Sequence, residues 1–149
     1  MNDYSSNKYF KNQFRIIAGK WRSRKISFPG NIETLRPTTD RIKETLFNWL
    51  QQKINASHCL DLFAGSGALA LEACSRDAAS VVALDSNSDA TKALSENCNL
   101  LNCSNMNVIT ADAMKWLEQK QKGEYQFNII FLDPPFGMNL LADCCALLE

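Results

Sequence analysis

Two short apolar stretches come first along the chain, at residues 14–18 and 23–28, with a polar turn at Gly19 and Lys20 between them. Apolar stretches of strand length on either side of a turn predict a small β-hairpin, which Pro29 and Gly30 would close. We expect a domain boundary after this hairpin. Residues 1–30 would then form a basic arm with the hairpin, and residues 31–149 the main domain.

An amphipathic helix is predicted next, from Thr38 or Thr39 to about Lys53. Threonine and aspartate are favoured N-cap residues, and Pro37 lies just upstream. The apolar side chains of this segment recur at the spacing of one helix face, at Ile42, Leu46, Phe47, Trp49 and Leu50.

From residue 58 onward, apolar stretches of strand length alternate with helical segments. The predicted strands cover residues 58–63, 80–84, 106–109 and 127–132, and the predicted helices cover residues 68–75, 88–101 and 113–119. Four β–α units in succession predict a parallel sheet with helices on both faces. Right-handed crossovers make this a doubly wound, Rossmann-like α/β fold.

The fourth predicted strand is almost entirely apolar, although edge strands are usually protected by charge, proline or a covering element. Only one further helix follows it before Glu149. We therefore expect the sheet to be truncated after its fourth strand. The chain would be either a fragment of a longer protein or a truncated product with weak or no activity.

The charge is distributed unevenly, although the formal net charge is zero. The first 25 residues hold seven Lys or Arg against one Asp, so the remainder is acidic. A basic segment attached to an acidic body is typical of a protein that contacts phosphates with one part and performs chemistry with another, and a solvated tail is the other interpretation. The candidate nucleic-acid-binding residues are Arg15, Lys20, Trp21, Arg22, Arg24 and Lys25.

Composition excludes several other classes. No apolar stretch approaches the roughly 20 residues needed to span a bilayer, and the polar N-terminus has no signal-peptide pattern, which predicts a cytoplasmic protein. The six cysteines form no C-x-x-C pair and His58 is the only histidine, so we expect reduced thiols and no metal site.

A glycine-containing loop follows the first parallel strand and precedes a helix. Glycines at such a turn let a ligand approach the backbone and the helix N-terminus, which is where nucleotides bind at the carboxyl ends of parallel strands. Neither a phosphate-binding loop nor the dinucleotide spacing is present, and a tight turn without a ligand is the other interpretation. The candidate residues are Asp61, Phe63, Ala64, Gly65, Ser66 and Gly67.

Carboxylates also end the second and third strands. Asp85 lies about twenty residues after the glycine turn, where an acidic side chain can accept hydrogen bonds from both hydroxyls of a ribose. Asp112 and the neighbouring Ala113 amide are placed to contact the edge of an adenine. Asp85 or Asp112 could instead act only as a helix N-cap. Together these residues predict a site for a nucleoside cofactor.

The fourth strand ends in Asp133, Pro134, Pro135 and Phe136. Two prolines fix the backbone and leave carbonyl groups without a partner, while Phe136 offers a face for stacking a base. An exocyclic base amine is a poor nucleophile because its lone pair is delocalised into the ring. Two acceptors, the Asp133 carboxylate and the Pro134 carbonyl, would draw its hydrogens out of plane and free the lone pair for attack on the methyl group of a sulfonium. A plain strand-ending turn is the other interpretation.

From Phe14 to Glu149 the sequence resembles the RsmD family of the class I S-adenosylmethionine-dependent methyltransferases. The resemblance rests on the motifs RIIAGKWR (residues 15–22), LRPTTDR (35–41), ETLFNWL (44–50), DLFAGSG (61–67) and DPPF (133–136). Asp77 departs from the pattern, because such proteins often carry a small residue or glycine there.

The resemblance implies methylation of guanine N2 in bacterial small-subunit ribosomal RNA, with S-adenosyl-L-methionine as cofactor. By the same resemblance, residues 61–67 face the methionine part of the cofactor, Asp85 the ribose, and Asp112 with Ala113 the adenine, whereas residues 133–136 face the target base. The segment with Arg36, Thr38 and Thr39 would cover the cofactor, and the hairpin would contact RNA. The expected partner is a partly or fully assembled small ribosomal subunit, and the expected state is a monomer.

Three other functions remain open from the residues alone. A DNA methyltransferase acting on adenine N6 or cytosine N4 also uses the D-P-P-[FY] pattern. A non-catalytic RNA-binding or assembly protein could keep the fold without turnover. An NAD-dependent oxidoreductase is disfavoured by the glycine spacing and by the proline pair.

Overall fold

The computed structural model describes residues 12–30, 38–120, 123–124, 126–135 and 140–148. Six strands and five helices follow one another along these residues. Their bounds are β1 (Asn12–Arg15), β2 (Lys25–Phe28), α1 (Asp40–Trp49), β3 (His58–Asp61), α2 (Ala68–Ser75), β4 (Ser80–Asp85), α3 (Ser88–Leu100), β5 (Met106–Thr110), α4 (Ala113–Gln119), β6 (Ile129–Phe131) and α5 (Leu140–Leu148).

Four parallel strands form the central sheet, in the order β5-β4-β3-β6, while β1 and β2 form a separate antiparallel hairpin. The predicted doubly wound α/β fold with an N-terminal hairpin is therefore confirmed. Because β3 lies between β4 and β6, the loops that follow these three strands meet at one edge of the sheet.

Alternation of side chains along each strand creates two hydrophobic layers. Cys59, Val81 and Ala83 belong to a cluster that includes residues of the hairpin, α1, α2 and α3. Leu60 and Leu84 point to the other face and pack with residues of α4 and α5. The parallel strands are covered on both faces, which explains why their sequences read as continuous apolar runs.

The hairpin differs from its prediction. The first strand covers Asn12–Arg15 rather than residues 14–18, and its partner starts at Lys25 rather than at residue 23. Residues 16–24 form a long connection, called here the basic loop. The strand ends early because the amides of Ile17 and Ala18 donate to the Glu72 carboxylate of α2, at 2.8 and 3.1 Å, instead of to a neighbouring strand.

The first helix is shorter than predicted and buries a different set of side chains. It starts after its N-cap Thr39 and ends at Trp49, beyond which the backbone forms turns up to Ile54. Ile42 and Trp49 were expected on the buried face but are 57% and 77% exposed. The buried side chains are Phe47 and, unexpectedly, Lys43.

The hairpin and the α/β region share one hydrophobic cluster. Phe14 and Phe28 of the hairpin pack against each other with ring centroids 6.0 Å apart, and both belong to the cluster that contains α2 and α3. The predicted domain boundary falls partly in residues 31–37, outside the described residues, and stays a prediction.

The end of α2 explains one departure from the family pattern. Asp77 follows the helix with a positive φ of 68°, a conformation in which glycine is the usual residue. Aspartate tolerates it better than most other side chains. Among the described helices, none is long and apolar enough to cross a membrane.

Candidate functional site

A cavity of about 460 Å³ lies at the carboxyl ends of the parallel strands. The loops that follow β3, β4, β5 and β6 all contribute to it, as expected for a doubly wound sheet. It is lined by Thr38, Asp61, Leu62, Phe63, Ala64, Gly65, Ser66, Ala68, Leu69, Asp85, Ser86, Asn87, Ala111, Asp112, Ala113, Asp133, Pro134, Pro135 and Leu140.

Asp85 joins the first two of these loops. One carboxylate oxygen accepts from the Gly65 amide at 2.9 Å and the other accepts from the Asn87 amide at 2.9 Å. The N-cap of α3 is Asn87, whose side chain accepts from two amides of the first turn, so Asp85 is not the cap. Each oxygen of Asp85 keeps a further lone pair that a ligand hydroxyl can use.

The glycine loop contains one residue with a packing role. Gly67 does not line the cavity; it is the N-cap residue of α2, with a φ of 84°. A Cβ atom there would lie 2.3 Å from a methyl group of Leu94, so a side chain at this position would require the buried Leu94 to shift. Gly65, which does line the cavity, also has a positive φ, of 54°.

Asp61 is the most deeply buried carboxylate of the cavity lining, with 1% of its surface exposed. Its Oδ1 atom has no hydrogen-bond partner among the described residues. The pKa of this carboxyl is raised from 3.8 to about 7, mainly by burial; the Phe63 amide opposes the rise, and the nearby carboxylates of Asp133 and Asp85 contribute to it. The side chain is a buried acceptor next to two negative charges, which favours a cationic donor as its partner.

Asp112 and Ala113 lie at the third loop. The Asp112 side chain caps α4 by accepting from the Lys115 amide at 3.0 Å, as the capping interpretation expected. The same residue lines the cavity together with Ala113. Capping uses one carboxylate oxygen, so Asp112 can cap α4 and still contact a ligand in the cavity with its other oxygen.

The residues after β6 form another wall of the cavity. Asp133, Pro134 and Pro135 line it, and Asp133 is exposed towards solvent. Among the described residues, no side-chain or backbone donor holds the Asp133 carboxylate. Phe136, the predicted stacking residue, lies outside the described residues.

The structure describes only part of the segment that was predicted to cover the cofactor, the segment with Arg36, Thr38 and Thr39. Thr38 lines the cavity, whereas the Thr39 side chain caps α1 by accepting from the Ile42 amide at 3.3 Å. Thr39 does not line the cavity. Arg36 lies outside the described residues.

The predicted RNA-binding residues divide into two groups. Arg15, Lys20, Arg22, Arg24 and Lys25 are exposed. Trp21 is 8% exposed and packs in the hydrophobic core, with the Lys20 ammonium 4.6 Å from its ring centre. Trp21 was predicted to bind RNA together with these cations, but its ring is largely used in core packing.

Some of the residues that shape the site were not singled out from the sequence. Ser86, Asn87 and Leu140 line the cavity without belonging to a motif. Glu72 was not singled out either, although a charge inside the otherwise apolar helix α2 was a visible signal.

The fold and the cavity define a Rossmann-like methyltransferase. A solved structure described as a methyltransferase from Escherichia coli superposes with a TM-score of 0.82 at 44% identity, covering 92% of this chain and 72% of that one. A methylase from Haemophilus influenzae gives a TM-score of 0.76 at 42% identity, over 92% of this chain and 73% of that one.

The family model described as "Conserved hypothetical protein 95" matches residues 14–149, and the chain belongs to this family. The similarity to RsmD proteins is confirmed by curated relatives. "Ribosomal RNA small subunit methyltransferase D" of Escherichia coli K12 is 47% identical over 137 residues, which cover 92% of this chain and 67% of the relative. The protein of the same name from Haemophilus influenzae is 46% identical over 93% of this chain and 72% of its own length.

Proposed function

We propose that this chain is an S-adenosylmethionine-dependent methyltransferase that modifies the exocyclic N2 amine of a guanine in small-subunit ribosomal RNA. The observation that carries the proposal is the Asp133-Pro134-Pro135 wall, which shares one cavity with three further carboxylates. The names of the curated relatives support ribosomal RNA as the substrate.

The cavity fits this cofactor. The unpartnered Oδ1 of Asp61 would accept a hydrogen bond from the ammonium of its methionine part, which also offsets the cost of burying the carboxylate. The spare lone pairs of Asp85 would accept from the ribose hydroxyls, and Ala113 with Asp112 would contact the adenine. The cofactor supplies a methyl group activated on a sulfonium.

The residues of this chain would then prepare the target nitrogen. The Asp133 carboxylate and the Pro134 carbonyl accept its two hydrogens and draw the nitrogen towards a tetrahedral shape, which frees its lone pair. Proline at both following positions fixes this backbone, because its ring restricts φ and removes the amide donor. Positioning and electrostatics thus account for most of the expected rate.

The basic loop and the strands beside it would bind the RNA. Five exposed cations project from this region, and such contacts release counterions from phosphates. We propose a monomeric cytoplasmic protein whose partner is a partly or fully assembled small subunit. A DNA amine methyltransferase would share the Asp133 motif, and the relatives' names favour RNA over it.

Transfer of a labelled methyl group from S-adenosylmethionine to small ribosomal subunits that lack the modification tests this function. We expect label in N2-methylguanosine after digestion to nucleosides. Label in N6-methyladenosine or in a cytosine would refute the guanine target. Cofactor binding without any transfer would point to a non-catalytic RNA-binding protein.

Charge neutralisation tests the RNA surface separately. Changing Arg22, Arg24 and Lys25 together to Gln should reduce the slope of log affinity against log salt by about 2 to 3, since each phosphate contact contributes roughly 0.7 to 0.9. Filter binding at several salt concentrations measures the slope.

A matched control changes three exposed lysines outside the hairpin region, Lys53, Lys92 and Lys115, to Gln. This variant carries the same change in charge but should keep the wild-type slope within about 1. Equal slopes for the two triple variants would mean that the hairpin region is not the RNA surface.

A further inference from the structure

The basic loop is attached to one end of α2 by two side chains. Glu72 accepts from the amides of Ile17 and Ala18, at 2.8 and 3.1 Å. Ser75 Oγ donates to the Ala18 carbonyl at 2.6 Å and accepts from the Trp21 amide at 3.0 Å, while its own carbonyl accepts from the Lys20 amide at 2.9 Å. The backbone of the loop therefore follows the helix surface.

The contact is too close for any side chain at Gly19. A Cβ atom there would lie 1.9 Å from the backbone oxygen of Ser75, and Gly19 also has a positive φ of 88°. The loop has further internal bonds, from Ile16 to Arg24 and from Ser23 to Ile16, at 3.0 and 2.8 Å. Its conformation is fixed both internally and against α2.

Glu72 and Ser75 are both fully buried, at 0% exposure. Burying a carboxylate costs free energy that burying an apolar side chain of similar size does not. The carboxylate therefore needs several well-placed hydrogen-bond donors. The Glu72 carboxylate accepts hydrogen bonds from the two loop amides and from the Arg76 guanidinium, the last at 2.9 Å. The cations Lys20, Arg22 and Arg24 lie on the exposed side of the same loop.

Helix α2 also begins at the cavity. Gly67, its N-cap, ends the glycine loop, and Ala68 and Leu69 line the cavity wall. Eight helical residues span about 12 Å. Because α2 connects the carboxyl end of β3 to the amino end of β4, its last turn lies at the edge of the sheet away from the cavity.

We infer that α2 holds the basic loop at a set distance from the methyl-donor cavity, with Glu72 and Ser75 as positioning residues for the RNA substrate. The inference rests on the proposed function. It implies a substrate large enough to reach both ends of α2. A folded RNA or a ribosomal subunit is large enough, whereas a single nucleotide is too small. The loop cations would then bind the RNA in the position from which its target guanine reaches the cavity, so displacement of the loop weakens productive binding of the subunit.

Gly19→Ala tests the inference, and Gly123→Ala is its matched control. Gly123 has nearly the same φ, of 86°, but a Cβ atom there would meet nothing within 4 Å. Both variants carry the same backbone strain, and only Gly19→Ala pushes the loop away from α2. Ser75→Ala is a milder second variant, because it removes the hydroxyl bonds to Ala18 and Trp21 without adding an atom.

The readouts are kcat and KM for methyl transfer to small subunits, the dissociation constant for S-adenosylmethionine by calorimetry, and thermal unfolding. For Gly19→Ala we expect KM for the subunit to rise about tenfold or more, with cofactor affinity within about twofold of wild type. Ser75→Ala should change KM in the same direction by about threefold, and Gly123→Ala should change neither quantity.

Wild-type KM in a folded Gly19→Ala or Ser75→Ala protein would overturn the inference while leaving the proposed function intact. An equal loss of cofactor affinity would also overturn it, because the substitution would then act through distortion of the whole helix. If Gly19→Ala does not fold, the KM of Ser75→Ala decides alone. Absence of transfer by the wild-type chain would instead refute the proposed function, and this inference with it.

Discussion

Asp133→Asn is expected to lower the rate of methyl transfer by about 100-fold or more. Asparagine keeps the size of the side chain and one acceptor oxygen, but it replaces the other oxygen with an amide group that donates towards the amine hydrogens. The remaining oxygen carries no formal charge and is a weaker acceptor, so it would free the lone pair of the nitrogen less effectively. Single-turnover transfer to small subunits measures this effect without interference from product release.

Two controls separate a chemical effect from a structural one. Affinity for S-adenosylmethionine should stay within about threefold of wild type, because the ammonium and ribose contacts proposed for Asp61 and Asp85 do not involve Asp133. Asp143→Asn, on the exposed side of α5, makes the same chemical change outside the cavity lining and should leave the rate unchanged. A single-turnover rate for Asp133→Asn equal to that of Asp143→Asn would refute the role of the carboxylate.

The second large effect is a pH-dependent gain in stability for Asp61→Asn. Burial raises the pKa of this carboxyl from 3.8 to about 7 in the folded protein. Between about pH 4 and about pH 7 the unfolded chain has released this proton while the folded chain still holds it, so stability falls as the pH rises. The loss is complete above about pH 7 and amounts to something on the order of 4 kcal/mol.

Asparagine cannot ionise, so the variant escapes this loss. The difference in the free energy of unfolding between Asp61→Asn and wild type should become more favourable to the variant from about pH 4 to about pH 7, and then stay constant. Urea unfolding at a series of pH values measures it. A difference that does not change with pH would mean that Asp61 ionises normally.

Added S-adenosylmethionine should reduce that difference. A cation beside Asp61 stabilises the ionised carboxylate and lowers its pKa towards the ordinary value. The same cofactor would bind Asp61→Asn more weakly, since the amide lacks the charge. If the cofactor changed the stability of both proteins equally, Asp61 would not be the partner of the ammonium.

The local sequence pattern was sufficient for much of the α/β region and for the motifs of the cavity. Helices α2 and α4 have the predicted bounds, Ala68–Ser75 and Ala113–Gln119, because apolar spacing and capping residues act within a few positions of each other. The cavity could be anticipated because residues at the carboxyl ends of neighbouring parallel strands must meet. Asp85, Asp112 and Asp133 were found in this way and do line one cavity.

What the local pattern left undecided depends on partners far away along the chain. The end of β1 at Arg15 is determined by Glu72, which lies 55 residues beyond Ile17. Lys43 is buried because its ammonium donates to the Arg15 carbonyl and lies 4.9 Å from the centre of the Phe14 ring.

The sequence by itself therefore determined the layers of the fold, the family resemblance and the motifs of the cavity, because these follow from short-range spacing. Only the tertiary structure decided which charged groups are buried, that Trp21 belongs to the core, and that the basic loop is attached to α2. Those outcomes depend on packing between segments that are far apart in the sequence, and the local periodicity of apolar residues carries no information about which distant segments meet.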